Sequence, residues 1–251
     1  MLKSFVMMVA AAATLTVMAE APQPVACWKL NEGTGTEIKD SGPNGVNGAI
    51  VNAENTEWGA GRESGKALYF KGDPEKKHKG GAVRIPLQPV IDLAKPLTVS
   101  CWIKPASLEQ LPRSANYELV SNTQSDYGPG FRLCLSWNEI VFQCGEGKPK
   151  TGFALRAKSS KFPVARDAWS HVAGTWDGKS AKLYVNGVLA AETPADAEAK
   201  VLPGQKYLSI GSYNLGYAYN FIGAVSDVKF FQQALTPAQV LAEAKNIPLE
   251  E

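Results

Sequence analysis

Two turn signals in one short stretch, Asp177-Gly178 and Asn186-Gly187, constrain this chain more than any other feature. Each suits a two-residue hairpin turn, because such turns need positive φ, which Gly adopts freely and Asp or Asn tolerates. Apolar, alternating segments flank both, so Trp169 to Glu192 predicts a three-stranded meander. In that reading Val172 faces Leu183 and His171 faces Tyr184 across the first turn. Across the second, Val185 faces Val188 and Tyr184 faces Leu189. One face then gathers Val172, Trp176, Leu183, Val185, Val188 and Ala190 for a core. The other carries His171, Thr175, Lys182, Tyr184 and Leu189, a mixed set that fits an open sheet face.

The rest of the chain repeats this style of short strands between Gly, Pro, Asn and Asp clusters. Strands are expected at Val25–Leu30, Lys66–Phe70, Ala82–Ile85, Leu97–Lys104, Glu118–Asn122, Phe131–Ser136, Ile140–Cys144, Tyr207–Gly211 and Ala224–Phe231. Residues 71–81 read as a charged, solvated loop. Thr236-Pro237 is a helix start, with Thr as cap and Pro in the first turn, opening one short helix to Lys245. No internal repeat or linker divides the chain, and its length suits one large β domain.

The N-terminus reads as an export signal. Lys3 precedes an uncharged apolar run, Phe5 to Ala19, with small residues placed for a cut after Ala19 or after Ala21. The run is shorter than the roughly 20 apolar residues of a spanning helix. Residues 1–19 are therefore expected to leave, and 22–251 to form one secreted, periplasmic or surface-bound domain without a membrane span. The whole chain carries a formal charge of +2, which supplies no basic footprint for nucleic acid. Cys27, Cys101, Cys134 and Cys144 follow the signal, and export permits disulfides. Cys134 and Cys144 flank an expected hairpin and are the first-choice pair. The alternative is four small buried thiols.

Five stretches, in order, resemble the laminin G-like jelly-roll modules of the concanavalin A-like lectin/glucanase group. They are CWKLNEGTGTEIKDSG (27–42), GKALYFKG (65–72), PLTVSCWIKP (96–105), WSHVAGTWDGKSAKLYVNG (169–187) and IGAVSDVKFFQQALTPAQV (222–240). The resemblance implies an all-β, two-sheet antiparallel jelly-roll sandwich with adjacent first and last strands and one short C-terminal helix. It also implies a structural Ca²⁺ at the sandwich rim, with Glu32, Asp40 and Asp227 at the matching positions. Relatives carry a further acid where this chain has Ser226, and Asp40-Ser41-Gly42 reads equally as an ordinary turn.

Fold alone leaves function open, since the same sandwich hosts lectins, adhesion modules and glycosidases. Glycoside hydrolysis needs two carboxylates flanking the sugar bond. The glucanases of this group set them on one strand in an alternating acidic run, and this chain has none. His78 lies in a charged loop, His171 has no acidic partner in register, and no zinc or nucleophile motif stands out. Sugar recognition uses aromatic faces with amide hydrogen bonds beside them, and Tyr213, Asn214, Tyr217, Tyr219 and Asn220 form the richest such loop. Trp137-Asn138, Tyr117 and Tyr127 are secondary candidates. The alternative is that these tyrosines pack loop against sheet. The expectation is a non-catalytic module that binds a glycan or glycoprotein, with an extracellular protein-interaction domain as the second reading and a glycosidase or lyase as the third.

Overall fold

The alternation in Leu97–Pro105 makes it the middle strand of a sheet, with Leu97, Val99, Cys101 and Ile103 buried on one side. The computed structural model describes residues 22–62, 65–73, 75, 77–107, 109–110, 116–123, 128–137, 139–147, 155–158, 164–196 and 199–245. The export-signal segment with Ala19 and Ala21, and also Tyr127 and Asn138, lie outside them. In chain order the strands are β1 (Ala26–Trp28), β2 (Glu37–Ile38), β3 (Gly48–Val51), β4 (Thr56–Ala60), β5 (Lys66–Lys71), β6 (Ala82–Pro86), β7 (Leu97–Pro105) and β8 (Asn116–Ser121). There follow β9 (Pro129–Ser136), β10 (Glu139–Glu146), β11 (Leu155–Lys158), β12 (Ser170–Trp176), β13 (Ser180–Val185), β14 (Val188–Pro194), β15 (Tyr207–Ile210) and β16 (Ile222–Phe231). Helix α1 spans Pro237–Lys245.

Two antiparallel sheets result. The front sheet runs β14-β13-β12-β7-β16-β5-β4, with β1 also paired to β16; the back sheet runs β11-β10-β9-β8-β15-β6-β3-β2. First and last strands are thus neighbours, with Ala26 opposite Phe230. The inner faces meet in one core, where the Phe131 and Phe230 rings lie 6.2 Å apart across the sandwich. At Gly174 of β12 the sheets come close: a Cβ there would sit 2.2 Å from the Phe142 ring of β10. Helix α1 begins as expected, in a reciprocal cap. The Gln239 N–H donates to Thr236 Oγ1, and the Thr236 N–H donates to Gln239 Oε1.

The meander forms, but its first turn sits one residue later than expected. Trp176 pairs with Ala181, Val172 with Val185 and Ala173 with Tyr184. The side chain of Asp177 sets this: its Oδ1 accepts the N–H groups of Lys179 (2.8 Å) and Ser180 (2.7 Å), centring the turn on Gly178-Lys179 with Gly178 at φ +88°. Moving a turn by one residue changes every pairing by two, so no side chain changes face. Val172, Trp176, Leu183 and Val185 therefore remain in the core. The second turn keeps the expected register for Val185–Val188 and Tyr184–Leu189, with Asn186 and Gly187 both at positive φ, but a bulge beyond them pairs Leu183 with Ala191. Val188 is nonetheless 49% exposed, at the start of β14, the edge strand of the front sheet. The face expected to be open is covered instead. Tyr184, Ala173, Phe231, Leu235 and Val240 form a second buried cluster beneath α1.

The Cys134–Cys144 disulfide does not form. Cys134 pairs with Val141 and Cys144 with Phe131, which puts the two thiols on opposite faces of the β9–β10 hairpin. All four cysteines are buried thiols without disulfides.

Candidate functional site

The tyrosine-rich loop, 212–220, links β15 to β16 and folds on itself through a Tyr213–Ala218 bridge. Asn214, Leu215 and Gly216 all take positive φ, and the Gly216 N–H donates to Ser212 Oγ at 2.6 Å. Three distant segments hold its backbone. The Gly80 N–H donates to Gly216 O (2.9 Å), the Glu118 N–H to Tyr219 O (2.8 Å), and the Asn52 amide reaches Leu215 O (3.5 Å) as well as Gly80 O. Gly216 has to be glycine, since a Cβ would lie 2.3 Å from Gly80 O.

On this frame the side chains divide into two sets. Tyr217 projects outward, 53% exposed, with the His78 imidazole stacked on it at 4.5 Å between centroids and 16° between planes. His78 Nδ1 lies 2.8 Å from Tyr217 O, so that nitrogen carries the proton and donates it. Asn214 is exposed, and its Oδ1 accepts the Tyr207 hydroxyl at 2.7 Å. Tyr213 and Tyr219 are half-buried with ring centroids 5.8 Å apart, and Tyr219 lies over the Arg132 guanidinium at 5.3 Å. Asn220 is half-buried against Gly80. The loop thus brings five of the proposed binding residues together, two presented to solvent and three acting partly as its own packing. Trp137, 62% exposed with φ 54°, tips the β9–β10 hairpin three residues beyond Cys134, the partner of Glu118. Tyr117 faces the core, so it is not a surface contact.

Sequence reasoning missed what lies under the loop. Glu118 of β8 and Arg132 of β9 occupy the outward face of the back sheet, yet are 0% and 3% exposed. Arg132 Nη2 and Nε donate to Glu118 Oε2 at 2.6 and 3.2 Å. Single charges in otherwise apolar strands, PGFRLCLS and NYELVS, were the available signal. They read as solvated alternates only until something covers them. His78, assigned to a solvated loop, likewise reaches the tyrosine loop 139 residues away.

Residues 77–241 match the Laminin_G_3 family, described as the concanavalin A-like lectin/glucanases superfamily. The chain belongs to this superfamily. Among curated proteins this lectin/glucanase-type chain is similar to the sushi, von Willebrand factor type A, EGF and pentraxin domain-containing protein 1 of Rattus norvegicus. The two are 24% identical over 173 residues, 65% of this chain and 4% of that protein. It is also similar to pappalysin-1 of Mus musculus, 22% identical over 191 residues, 71% of this chain and 11% of that protein. The chain therefore spans only a small part of these relatives. Among solved structures it resembles the binding domain of Paraclostridial Mosquitocidal Protein 1, with TM-score 0.69, 17% identity, and 89% of this chain and 52% of that one covered. The binding domain of botulinum neurotoxin DC, solved with rat synaptotagmin II and separately with SialylT, gives TM-scores of 0.63 in both cases. Identities are 13% and 15%, and coverage is 91% of this chain and 52% of those. At such identities the likeness concerns the fold.

At the positions matching the calcium site that this superfamily implies, Asp40 and Asp227 are held by protein donors, while Glu32 Oε2 is buried without a hydrogen-bond partner among the described residues. Asp40 Oδ1 accepts the N–H groups of Cys27 (2.8 Å) and Gly42 (2.7 Å), and its Oδ2 accepts that of Val46 (2.9 Å), so the carboxylate already has its hydrogen bonds. Asp227 faces Arg62 at 3.2 Å and accepts the Ser226 hydroxyl at 2.9 Å. Glu32 Oε1 accepts the Lys39 N–H. Among the described residues no three His, Cys, Asp or Glu side chains gather as a metal site. Arg62, stacked on Trp102 at 3.9 Å, supplies at Asp227 the positive charge that an ion would bring.

His171, next to Trp102 in edge-on contact at 5.4 Å, is buried. Loss of water, with Lys229 and Arg62 nearby, pushes its pKa down to about 3. It is a neutral structural imidazole at neutral pH, not a base presented to solvent.

Proposed function

We propose that the chain is a secreted, non-catalytic module that binds a carbohydrate or glycoconjugate through the rim formed by Tyr217, Asn214 and His78. The observation that carries this reading is the outward-facing Tyr217 ring, held flat by His78 and flanked by an exposed amide. Such a pair offers an apolar face for a sugar ring and a polar edge for its hydroxyls. The apolar N-terminal run supports export. The lack of a paired-acid strand motif supports a binding role, and so does the binding-domain character of the structural neighbours. Among the described residues no helix is long and apolar enough to cross a membrane.

A glycan array probed with the chain lacking residues 1–21 tests the reading, with Tyr217→Ala alongside. Glycan binding that drops about tenfold or more in the variant, at unchanged melting temperature, supports it. An empty array defeats it. A protein-interaction module is the second reading, favoured by Val188, Leu189 and Leu241. These apolar side chains are 49%, 42% and 36% exposed, and Leu241 touches the hairpin turn at Gly187.

A further inference from the structure

The outward face of the front sheet holds a cleft that the rim loop does not use. Leu68, Phe70, Ile103 and Val225 point into the core, so their alternates Tyr69, Lys104 and Ala224 point away from it. The register places Glu57, Tyr69, Ala224 and Lys104 side by side across β4, β5, β16 and β7. Only a methyl group stands between the tyrosine and the lysine. Where β16 starts, at Ile222 and Gly223, a cleft of about 490 Å³ opens between these strands, joined by Lys71, Gln110 and Asp167.

The walls of this cleft carry both signs of charge. Glu57, Lys71, Lys104, Gln110 and Asp167 make no side-chain hydrogen bond or ion pair among the described residues, although opposite charges share one cleft. Two ammonium groups, an amide and three carboxylates therefore surround the cleft, one of the carboxylates, Asp73, being already engaged by the N–H groups of Lys77 and Lys79, so that two of each charge are left facing it. An anionic ligand meets Glu57 and Asp167, and a cationic one meets Lys71 and Lys104. A neutral ligand with many hydroxyls, each able to donate and accept, can satisfy both kinds. Tyr69 adds a ring fixed by its hydroxyl, which donates to Ala60 O at 2.8 Å. The volume falls in the range of small-molecule sites, roughly 300–1,000 Å³.

We infer that this cleft is a second ligand site, taking a neutral saccharide of about disaccharide size. The inference rests on the reading of the chain as a sugar-binding module but not on the rim loop. The two places are neighbours. Asp73 also lines the cleft, and its carboxylate accepts the N–H groups of Lys77 (3.2 Å) and Lys79 (3.4 Å), ordering the segment that carries His78.

The experiment probes an array of neutral and sialylated oligosaccharides with the chain lacking residues 1–21, then titrates the best neutral binder by calorimetry. Glu57→Gln, Lys104→Ala and Lys104→Met are compared with Tyr217→Ala. None of the first three removes an observed contact, so their melting temperatures should match the parent and certify folding. The expected result is a loss of about tenfold or more in neutral-saccharide affinity for the cleft variants, with Tyr217→Ala within about twofold. That result upholds the cleft even if the rim loop binds nothing. Neutral-saccharide binding that survives all three cleft variants overturns the inference, and if Tyr217→Ala abolishes it, the rim reading stands alone. Binding restricted to sialylated glycans also overturns the inference, and an array with no binder overturns both.

Discussion

Glu118 and Arg132 stand two rows apart on neighbouring strands and meet as an ion pair with neither side chain more than 4% exposed. Breaking a buried pair leaves one charge without its counterion in a dry place, at a cost of about 3–5 kcal/mol. Arg132→Ala should lose that much in urea unfolding, and should also disturb Tyr219, which lies over the guanidinium. Glu118→Leu combined with Arg132→Leu should recover most of it. A loss under about 1 kcal/mol in the single variant would show that the pair is readily solvated.

His171 predicts an acid sensitivity with a defined window. The unfolded imidazole takes up a proton near pH 6.5, whereas the folded one resists down to about 3. The stability that depends on a neutral His171 is therefore complete above about pH 6.5. It falls as pH drops toward 3, by at most about 1.4 kcal/mol per pH unit. Urea midpoints of the parent and His171→Phe, measured from pH 7 to 4, should diverge progressively across that window. Parallel curves would show that the ring is not what responds.

Expectations drawn from the sequence fared according to how local their causes were. The start of α1 follows from Thr236-Pro237 and its cap, within a few residues. The inward faces of β12 and β13 were legible because alternation survives a misplaced turn. The turn itself depended on which N–H groups the Asp177 side chain would accept, a choice that a dipeptide rule does not contain. The covering of Tyr184 by α1, the meeting of His78 with Tyr217 and the burial of Glu118 all join residues far apart in sequence. No periodicity announces such contacts. In the candidate site, sequence found the loop and its tyrosines but not what steadies them.

The four cysteines should behave as inert thiols. Burial pushes Cys27, Cys101 and Cys144 above the ordinary thiol pKa, which disfavours the reactive thiolate. A thiol reagent should label none of the four at neutral pH in the folded protein and all four after denaturation, and a reductant should leave the melting temperature unchanged. Fewer than four labelled thiols in denaturant would reveal a disulfide.

Asp40 should matter for stability and not for metal. Removing a carboxylate that accepts three backbone N–H groups should cost about 1–3 kcal/mol in Asp40→Ala, equally in calcium and in chelator. The parent should melt at the same temperature in both. A calcium-dependent rise that vanishes in the variant would place an ion at that corner after all.

The tyrosine loop is fastened by main-chain atoms: Leu215, Gly216 and Tyr219 are gripped through their carbonyl oxygens by Asn52, Gly80 and Glu118. Such clamps are indifferent to what the neighbouring side chains are. Position 217, whose backbone is not left-handed, can accordingly be re-lettered without redrawing the curve of the chain, which makes this corner a natural place to graft new specificities onto an unaltered scaffold.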